Sequence, residues 1–436
     1  TADATVGGAA TGTIDMGDVT LADGVILTVG TGIANAINMD AVIGTAGGAV
    51  SDLAISTTGA TTIAENIGID MGSVAISNPS QLDIQDVVAN SLIVTATDID
   101  LNGTTYTANN GVITLNGPIG IDGGATTTIQ TTTAGDNDIT LNGIVRSNAN
   151  ESLTLTSRGS VDFTGAVNLG NGNLEVTFDT DGGGSDTVVV DQAITAANID
   201  FTAQGDSDSN TLDIDQNLTA SNALNIDNVQ TVDLAANVDL EAQGGDLTIS
   251  TNIGAINLSG AGGENEIKIT GGNGDVALGA VTNTNAASDL IVANSGGGSI
   301  IINGGSVNNA GAQTYNGIVT LGADTTLTGT NLNFNSTVDG AQALILNGSG
   351  TTTLGGAVGN TTALTSLTTN AGGTTAINGG TVETTAAQTY NDAVTLGADT
   401  IFQTTDSKLT FGDTVNGGFN ALFNAGSGGI DFAGNI

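Results

Sequence analysis

Three aspartates lie within one glycine-rich stretch of eight residues, Asp179-Thr180-Asp181-Gly182-Gly183-Gly184-Ser185-Asp186. Carboxylates, together with the backbone carbonyls of a flexible turn, are the oxygen ligands that calcium prefers. The stretch therefore predicts a calcium site built from Asp179, Asp181 and Asp186. A solvated acidic turn stays open as the alternative, because Asp and Gly are both common in turns.

Two further stretches carry part of a calcium-binding pattern. Residues 206–210 read Asp-Ser-Asp-Ser-Asn and begin like an EF-hand loop. However, Thr211 stands where that motif has Gly, and Asn217 stands where it has a bidentate Glu. Residues 271–275 read Gly-Gly-Asn-Gly-Asp and resemble a calcium-binding nonapeptide, but in a single copy. Both stretches are predicted to be acidic turns in preference to calcium sites.

Two pairs of aspartates are separated by a single residue, Asp98 with Asp100 and Asp213 with Asp215. Paired carboxylates can hydrolyse a glycosidic bond. Sugar sites also use aromatic platforms, and this chain has 3 Tyr, 9 Phe and no Trp. It has no His and no Cys, which excludes His-based triads and thiol nucleophiles. The sequence therefore predicts a protein that is not an enzyme, with these aspartates on solvated strand faces.

The charge balance excludes two classes of partner. The chain has 44 acidic and 4 basic residues, a formal net charge of −40. Nucleic-acid phosphates and anionic lipids both require Lys and Arg, so neither is predicted as a partner. No apolar run is long enough to span a bilayer. The first residue is Thr, and the chain is interpreted as processed or excised from a longer one.

Short strands with alternating apolar residues run through the chain and would position these acidic turns. Examples begin at residues 153, 174, 199, 224, 247, 267 and 290, and the differences between successive numbers are 21, 25, 25, 23, 20 and 23. Two or three such strands per roughly 20–25 residues are typical of one coil of a parallel β-solenoid, in which each strand pairs with its equivalent one coil on. Because apolar residues are 39% of the chain and aromatic residues only 3%, a narrow interior is predicted.

A long internal repeat supports this architecture. Gln313–Asp324 returns as Gln388–Asp399, an offset of 75 in residue number (388 − 313). Downstream, Phe334 returns as Phe411, where the offset has grown to 77 (411 − 334). Hydrophobic positions are thus kept while turns absorb changes in length. The sequence predicts a repeat of about 75–78 residues across positions 300–436.

Two regions are distinguished along the chain. Residues 1–90 are predicted to form less regular solenoid coils, and residues 91–436 a continuous solenoid shaft. Within the first region, Ile14–Val19 returns as Ile69–Val74, an offset of 55 in residue number (69 − 14). We expect this offset to correspond to two or three coils.

The repeated blocks resemble those of filamentous haemagglutinin-like, β-strand-repeat surface proteins of bacteria. The blocks concerned are Gln313–Asp324, Gln388–Asp399, Leu364–Asn370 and Gly372–Gly380. The resemblance implies a right-handed parallel β-helix that is exported and displayed as an adhesin, fibre or matrix component. No Asn-Pro-Asn-Gly turn occurs near Thr1, so the chain looks like the shaft of such a protein and not its export module.

Together these features predict a secreted, non-enzymatic structural protein at the bacterial cell surface. We expect it to form the shaft of a fibre or filament by end-to-end stacking of solenoid subunits. The alternative is an adhesin passenger domain that binds a glycan or protein on a host or neighbouring cell. The expected partners are accordingly a second copy of the chain or a cell-surface receptor. No cofactor is predicted to be required, and calcium is the one candidate ion.

Overall fold

The computed structural model describes residues 2–8, 12–133, 135, 137–180, 185–204, 210–235, 237–249, 255–258, 265–283 and 288–436. The described residues are all-β, without a helix, and their parallel strands stack as a β-solenoid with about 22 residues per turn. The predicted fold class and coil length are confirmed. Within this part of the chain there is no helix long and apolar enough to cross a membrane.

The chain divides into two compact units, Thr1–Gln216 and Asn217–Ile436. Within each unit three strands per turn form three parallel sheets, here called faces A, B and C. In the first unit, face A contains β1 (Ala4–Val6), β4 (Ile26–Ile33), β7 (Ser51–Thr57), β10 (Met71–Ser77), β13 (Ser91–Thr95), β16 (Ile113–Asn116), β19 (Ile139–Asn142), β22 (Val161–Phe163), β25 (Thr187–Val190) and β28 (Thr211–Ile214). Its face B contains β2 (Ile14–Met16), β5 (Ile37–Met39), β8 (Thr61–Ile63), β11 (Leu82–Ile84), β14 (Ile99–Leu101), β17 (Ile119–Ile121), β20 (Val145–Ser147), β23 (Val167–Asn168) and β26 (Ile194–Ala196). Its face C contains β3 (Val19–Leu21), β6 (Val42–Gly44), β9 (Ile67–Gly68), β12 (Val87–Ala89), β15 (Thr105–Ala108), β18 (Thr126–Thr131), β21 (Ser152–Thr156), β24 (Leu174–Phe178) and β27 (Ile199–Ala203).

The second unit is built in the same way. Its face A contains β31 (Thr231–Leu234), β34 (Ala255–Leu258), β37 (Val281–Asn283), β40 (Ser306–Asn309), β43 (Thr325–Gly329), β46 (Ala343–Gly348), β48 (Ser366–Thr369), β51 (Gln388–Tyr390), β54 (Leu409–Phe411) and β57 (Ile430–Phe432). Its face B contains β29 (Leu218–Ala220), β32 (Asp239–Ala242), β35 (Asn265–Gly271), β38 (Ser288–Asn294), β41 (Gln313–Asn316), β44 (Leu332–Phe334), β47 (Thr351–Leu354), β49 (Thr374–Ile377), β52 (Ala393–Leu396) and β55 (Val415–Asn416). Its face C contains β30 (Leu224–Asp227), β33 (Leu247–Ile249), β36 (Val276–Leu278), β39 (Ser299–Ile302), β42 (Ile318–Leu321), β45 (Val338–Asp339), β50 (Thr381–Thr384), β53 (Thr400–Thr404) and β56 (Ala421–Asn424).

Alternation of apolar and polar residues explains why these short segments form strands. In β10, Val74 and Ile76 point inward and are buried, and they pair with the buried Leu92 and Val94 of β13. Residues between them face outward because successive side chains of a strand point to opposite faces of its sheet. The core is therefore built from stacked inward-facing side chains of the three faces, aliphatic at most positions and aromatic at some.

One predicted strand equivalence is wrong. The regular spacing placed Leu247 and Ile267 one coil apart, but Leu247 pairs with Val276 on face C. Ile267 lies on face B and pairs with Leu290. Apolar–polar–apolar triplets look alike on all three faces, so their spacing alone does not identify the face.

The return of Ile14–Val19 as Ile69–Val74 is not a structural repeat either. Ile14–Met16 forms β2 on face B, whereas the matching Ile69 and Asp70 have φ values of 56° and 55° and form a turn. Met71 then begins β10 on face A. The matching residues therefore begin in a strand in the first copy and in a turn in the second.

The long repeat is structural, but it does not span a whole number of turns. Gln313 lies in β41 on face B, and Gln388 lies in β51 on face A. From β41 the sheet order of face B runs through β44 and β47 to β49, which is three turns, and β51 follows two faces later. The second copy is therefore rotated about the solenoid axis relative to the first.

Candidate metal centre

The predicted calcium turn connects face C to face A. Asp179 directly follows β24, with a φ of 53° that Asp tolerates better than most residues, and Asp186 directly precedes β25. Both side chains are buried, at 0% and 4% exposure respectively. Asp181 lies outside the described residues. The two described aspartates therefore sit at the two ends of one corner with their carboxylates out of solvent.

Asn210, one turn further on, completes this corner. It directly precedes β28, whose Thr211 pairs with Thr187 of β25. The buried Asn210 donates from Nδ2 to Asp179 Oδ2 at 2.7 Å. Its Oδ1 accepts a long hydrogen bond of 3.4 Å from the backbone N–H of Asp186. The structure thus joins the stretch 179–186 to the last residue of the second candidate stretch, whose residues 206–209 lie outside the described part of the chain.

The corner is anchored by its backbone. Thr180 donates to Ser157 O on the preceding turn, from its N–H at 3.3 Å and from Oγ1 at 3.1 Å. The N–H of Thr211 on the following turn donates to Asp186 O at 2.9 Å. Both ends of the 179–186 turn are therefore held in place by neighbouring turns.

One oxygen of Asp179 is without a partner. Among the described residues, Oδ1 of Asp179 is buried and accepts no hydrogen bond. The ion pairs seen there include Arg146 with Asp98, at 2.7 Å, and Lys408 with Asp431. Neither reaches Asp179. A buried carboxylate is costly unless it is paired, protonated or bound to a metal.

The other acidic corners are satisfied differently. Asp275, in the third candidate turn 271–275, accepts the backbone N–H of Ser299 at 2.7 Å. Asp246 in turn accepts the N–H of Asp275 at 2.9 Å. The same bond to a backbone N–H of the next turn recurs at many corners, formed by Asp52, Asp86, Asp138, Asp289, Asp324, Asp399 and Asp406. Many aspartates therefore have a structural role, in which the carboxylate accepts a backbone N–H of the next turn. The spacing of about one turn between these aspartates and the next corner in the sequence could have indicated this role.

The two pairs of aspartates do not alternate within one strand as predicted. Asp100 lies in β14 and Asp213 in β28, whereas Asp98 directly precedes β14 and Asp215 directly follows β28. Asp98 accepts a hydrogen bond from Arg146, and Asp100 accepts one from Gln81 at 3.1 Å. Burial raises the pKa of Asp100, the Gln81 hydrogen bond lowers it, and the charges of Asp98 and Asp83 raise it further. Asp213 is half-buried and Asp215 exposed.

A shallow groove of about 850 Å³ lies elsewhere, on face C of the first unit. Its floor is apolar, because Gly68 leaves a gap between Ile43 and Val88 on the neighbouring strands. Glu65 and Asp86 are among its polar residues. Asp86 already accepts backbone N–H groups from the next turn, so its carboxylate supports the wall of the groove.

Comparison of the chain with protein-family models, with curated proteins and with solved structures gives no match. The resemblance to filamentous haemagglutinin-like proteins, and the right-handedness that it implies, therefore stay predictions.

Proposed function

We propose that this protein is a non-enzymatic structural element, secreted to the bacterial cell surface, whose copies stack end to end as the shaft of a fibre. The observation that carries the proposal is the stacking of parallel strands from turn to turn, in which a strand pairs with its equivalent in the neighbouring turn. In the last turn that the structure describes, β56 pairs with β53 and β57 pairs with β54. Unpaired strand edges are templates for further strands.

The interior of this turn is apolar. Ile430 pairs with the fully buried Leu409, occupies the same inward position and is 38% exposed. Phe423 stacks on Phe402 at 5.2 Å and Phe432 stacks on Phe411 at 5.1 Å between ring centroids. A turn of a second copy stacked on this one would cover Phe423, Ile430 and Phe432. Burying this apolar area would favour association.

The first turn that the structure describes is paired in the same parallel way. Its strands β1, β2 and β3 pair with β4, β5 and β6. All strands are parallel, so a copy added head to tail would continue the same hydrogen-bond pattern. An interface of this heterologous kind generates open filaments unless its rotation closes a ring.

Charge opposes this association and makes it dependent on salt. Asp3, Asp15 and Asp18 are exposed on the first turn, and Asp413 and Asp431 on the last. Like charges on the two edges repel over a screening length of roughly 30 Å at 0.01 M salt and about 3 Å at 1 M. We therefore expect stacking to increase with ionic strength.

The test is sedimentation velocity with negative-stain electron microscopy on the purified chain at low and high salt. We expect concentration-dependent filaments at high salt. Ile430→Lys, which places a charge at an inward-facing position of the last described turn, should abolish them. The matched control is Leu422→Lys on the same turn, where Leu422 is 58% exposed and pairs with the exposed Ile401. It should leave stacking intact.

Monomers under every condition, or equal behaviour of the two variants, would contradict the stacking proposal.

A second candidate function, that of an adhesin passenger binding a surface glycan or protein, is favoured by the face C groove. Its lining includes the apolar Ile43 and Val88, the latter 41% exposed. Concave, partly apolar sites of this size are typical of ligand-binding surfaces.

A further inference from the structure

We propose that the corner formed by Asp179, Asp186 and Asn210 binds one calcium ion. This inference is independent of end-to-end stacking, because all three residues belong to one corner of the first unit. It assigns to the site a ligand residue, Asn210, from the turn that follows the predicted calcium stretch.

The first argument is the burial of charge. The chain carries 44 acidic residues, and most of those described are at least partly solvated. At this corner two carboxylates, of Asp179 and Asp186, are withdrawn from water together. Such burial is expensive without a compensating positive charge, and no ion pair with a basic side chain reaches Asp179 in the described part of the chain.

The second argument is a comparison with the other buried acids. Asp339 accepts the backbone N–H groups of Thr361 and Thr362, at 2.9 and 3.1 Å. Asp392 accepts hydrogen bonds from the hydroxyls of Thr369 and Thr375, at 2.6 and 2.9 Å. In both cases the protein itself supplies the donors.

Glu151, the remaining buried acid, accepts the N–H of Ala149 at 2.9 Å and a hydrogen bond from Ser147. Asp179 differs from all of these. Among the described residues it accepts one hydrogen bond, from Asn210, and its Oδ1 is buried without a donor. We assign this oxygen as the position where a cation would bind.

The third argument is the chemistry of the donors. Two carboxylates and a carboxamide are hard oxygen ligands, and the chain has no His or Cys to favour zinc or copper. Magnesium usually keeps several of its waters, which a buried corner accommodates poorly. Calcium accepts irregular oxygen sites and fits best. By binding Asn210 together with Asp179 and Asp186, it would tie β28 to β25.

The experiment is calorimetric titration of the full, chelator-treated chain with Ca²⁺ and, separately, with Mg²⁺. We expect one calcium per chain and a higher melting temperature with Ca²⁺ than with Mg²⁺. Asp179→Asn should weaken calcium binding by at least about tenfold, since even residues that only support metal ligands contribute 10–100-fold. The control Asp339→Asn removes a buried carboxylate that is satisfied by backbone N–H groups, and it should leave the affinity unchanged.

A second variant should change the calcium affinity in the opposite direction. Asn210→Asp adds a third carboxylate and removes the donor to Asp179, so the calcium-free chain should melt at a lower temperature. Calcium should restore the melting temperature, because affinity rises with ligand charge. A melting temperature of Asn210→Asp that calcium leaves unchanged would contradict the proposal.

No calcium binding by the unmodified chain would overturn the proposal. So would equal losses in Asp179→Asn and Asp339→Asn, which would place the ion elsewhere on the acidic surface.

Discussion

The two copies of the long repeat occupy different faces of the solenoid and yet keep the same side-chain contacts. In the first copy, Gln313 Nε2 donates to Val307 O at 3.2 Å and to Thr328 O at 2.8 Å. In the second, Gln388 Nε2 donates to the equivalent carbonyls of Val382 and Gln403, at 3.0 and 2.8 Å.

The aromatic contacts are kept as well. Tyr315 donates from its hydroxyl to Gln313 Oε1 at 2.7 Å and stacks on Phe334 with 5.0 Å between ring centroids. Tyr390 donates to Gln388 Oε1 at 3.0 Å and stacks on Phe411, also at 5.0 Å. Each copy therefore carries its own stabilising network, which depends on the strands beside it and not on the face.

The copies differ at one corner, and three residues change together. Gly317, Asn294 and Ile300 of the first copy correspond, at the offset that relates Gln313 to Gln388, to Asp392, Thr369 and Thr375 of the second. A side chain at Gly317 would meet Asn294 Cβ at 3.2 Å and Ile300 Cδ1 at 3.3 Å. In the second copy two threonines make room for a buried carboxylate and donate to it. The change is thus a concerted exchange of an apolar contact for a polar one.

The largest loss of stability is expected when only one of these three residues is exchanged. Gly317→Asp alone places a carboxylate beside Ile300 and Asn294, and the Asn294 amide already donates to Gly274 O at 2.6 Å. It should lower the free energy of unfolding by about 3–5 kcal/mol, the range for an uncompensated buried charge. Adding Asn294→Thr and Ile300→Thr should recover most of the loss. Native-state hydrogen exchange of β38 to β42 is the measurement, because a solenoid can unfold locally.

The reverse exchange in the second copy is the control. Asp392→Gly combined with Thr369→Asn and Thr375→Ile should not destabilise the fold. If the triple variant of the first copy is as unstable as Gly317→Asp, the corners are not interchangeable.

A smaller and equal effect is expected from the buried glutamines. Gln313→Leu and Gln388→Leu each leave two carbonyls and a tyrosine hydroxyl without their partner. The loss should be about 2–4 kcal/mol in each copy, because each unsatisfied buried group costs about 1–3 kcal/mol. The outward-facing Thr389→Val should change stability by no more than about 0.5 kcal/mol. Hydrogen exchange of the strands that flank each glutamine measures all three.

Losses in the two glutamine variants that differ by more than about 1 kcal/mol would show that the face does affect the network, since the usual error of additivity is only about 0.3–0.5 kcal/mol.

The smallest predicted effect is the dependence of stability on pH. Burial raises the pKa of Asp392, while the hydrogen bonds from Thr369 and Thr375 lower it and the charge of Asp413 raises it, for a net increase above 3.8. The folded state therefore holds this proton more tightly than the unfolded state. The resulting stabilisation is complete below pH 3.8 and is lost as pH rises through the folded pKa. A tenfold change in proton affinity corresponds to about 1.4 kcal/mol.

Asp392→Asn removes this component, and the first copy, with Gly317, lacks it. Denaturant titrations from about pH 3 upward give the free energy of unfolding of the unmodified chain and of Asp392→Asn. As the pH rises, the unmodified chain should lose stability relative to Asp392→Asn. A difference that does not vary with pH would contradict the raised pKa.

Much of the fold could be predicted from local patterns. Short segments such as Leu153–Leu155 and Leu174–Phe178 are correctly predicted to be strands, because alternation with a period of two needs only neighbouring residues. The acidic turn 179–186 was singled out by composition. Its connection to Asn210 could not be predicted, since it depends on which turn lies next to it.

The sequence by itself determined the architecture: short parallel strands, turns of about 22 residues, and a repeat whose members share their hydrophobic positions. Only the tertiary structure decided that Gln313 and Gln388 lie on different faces, that Leu247 pairs with Val276, and that Asp179 meets Asn210. The physical reason is that inward and outward orientation is set within each strand. The face on which a strand lies depends on the accumulated length of every corner before it.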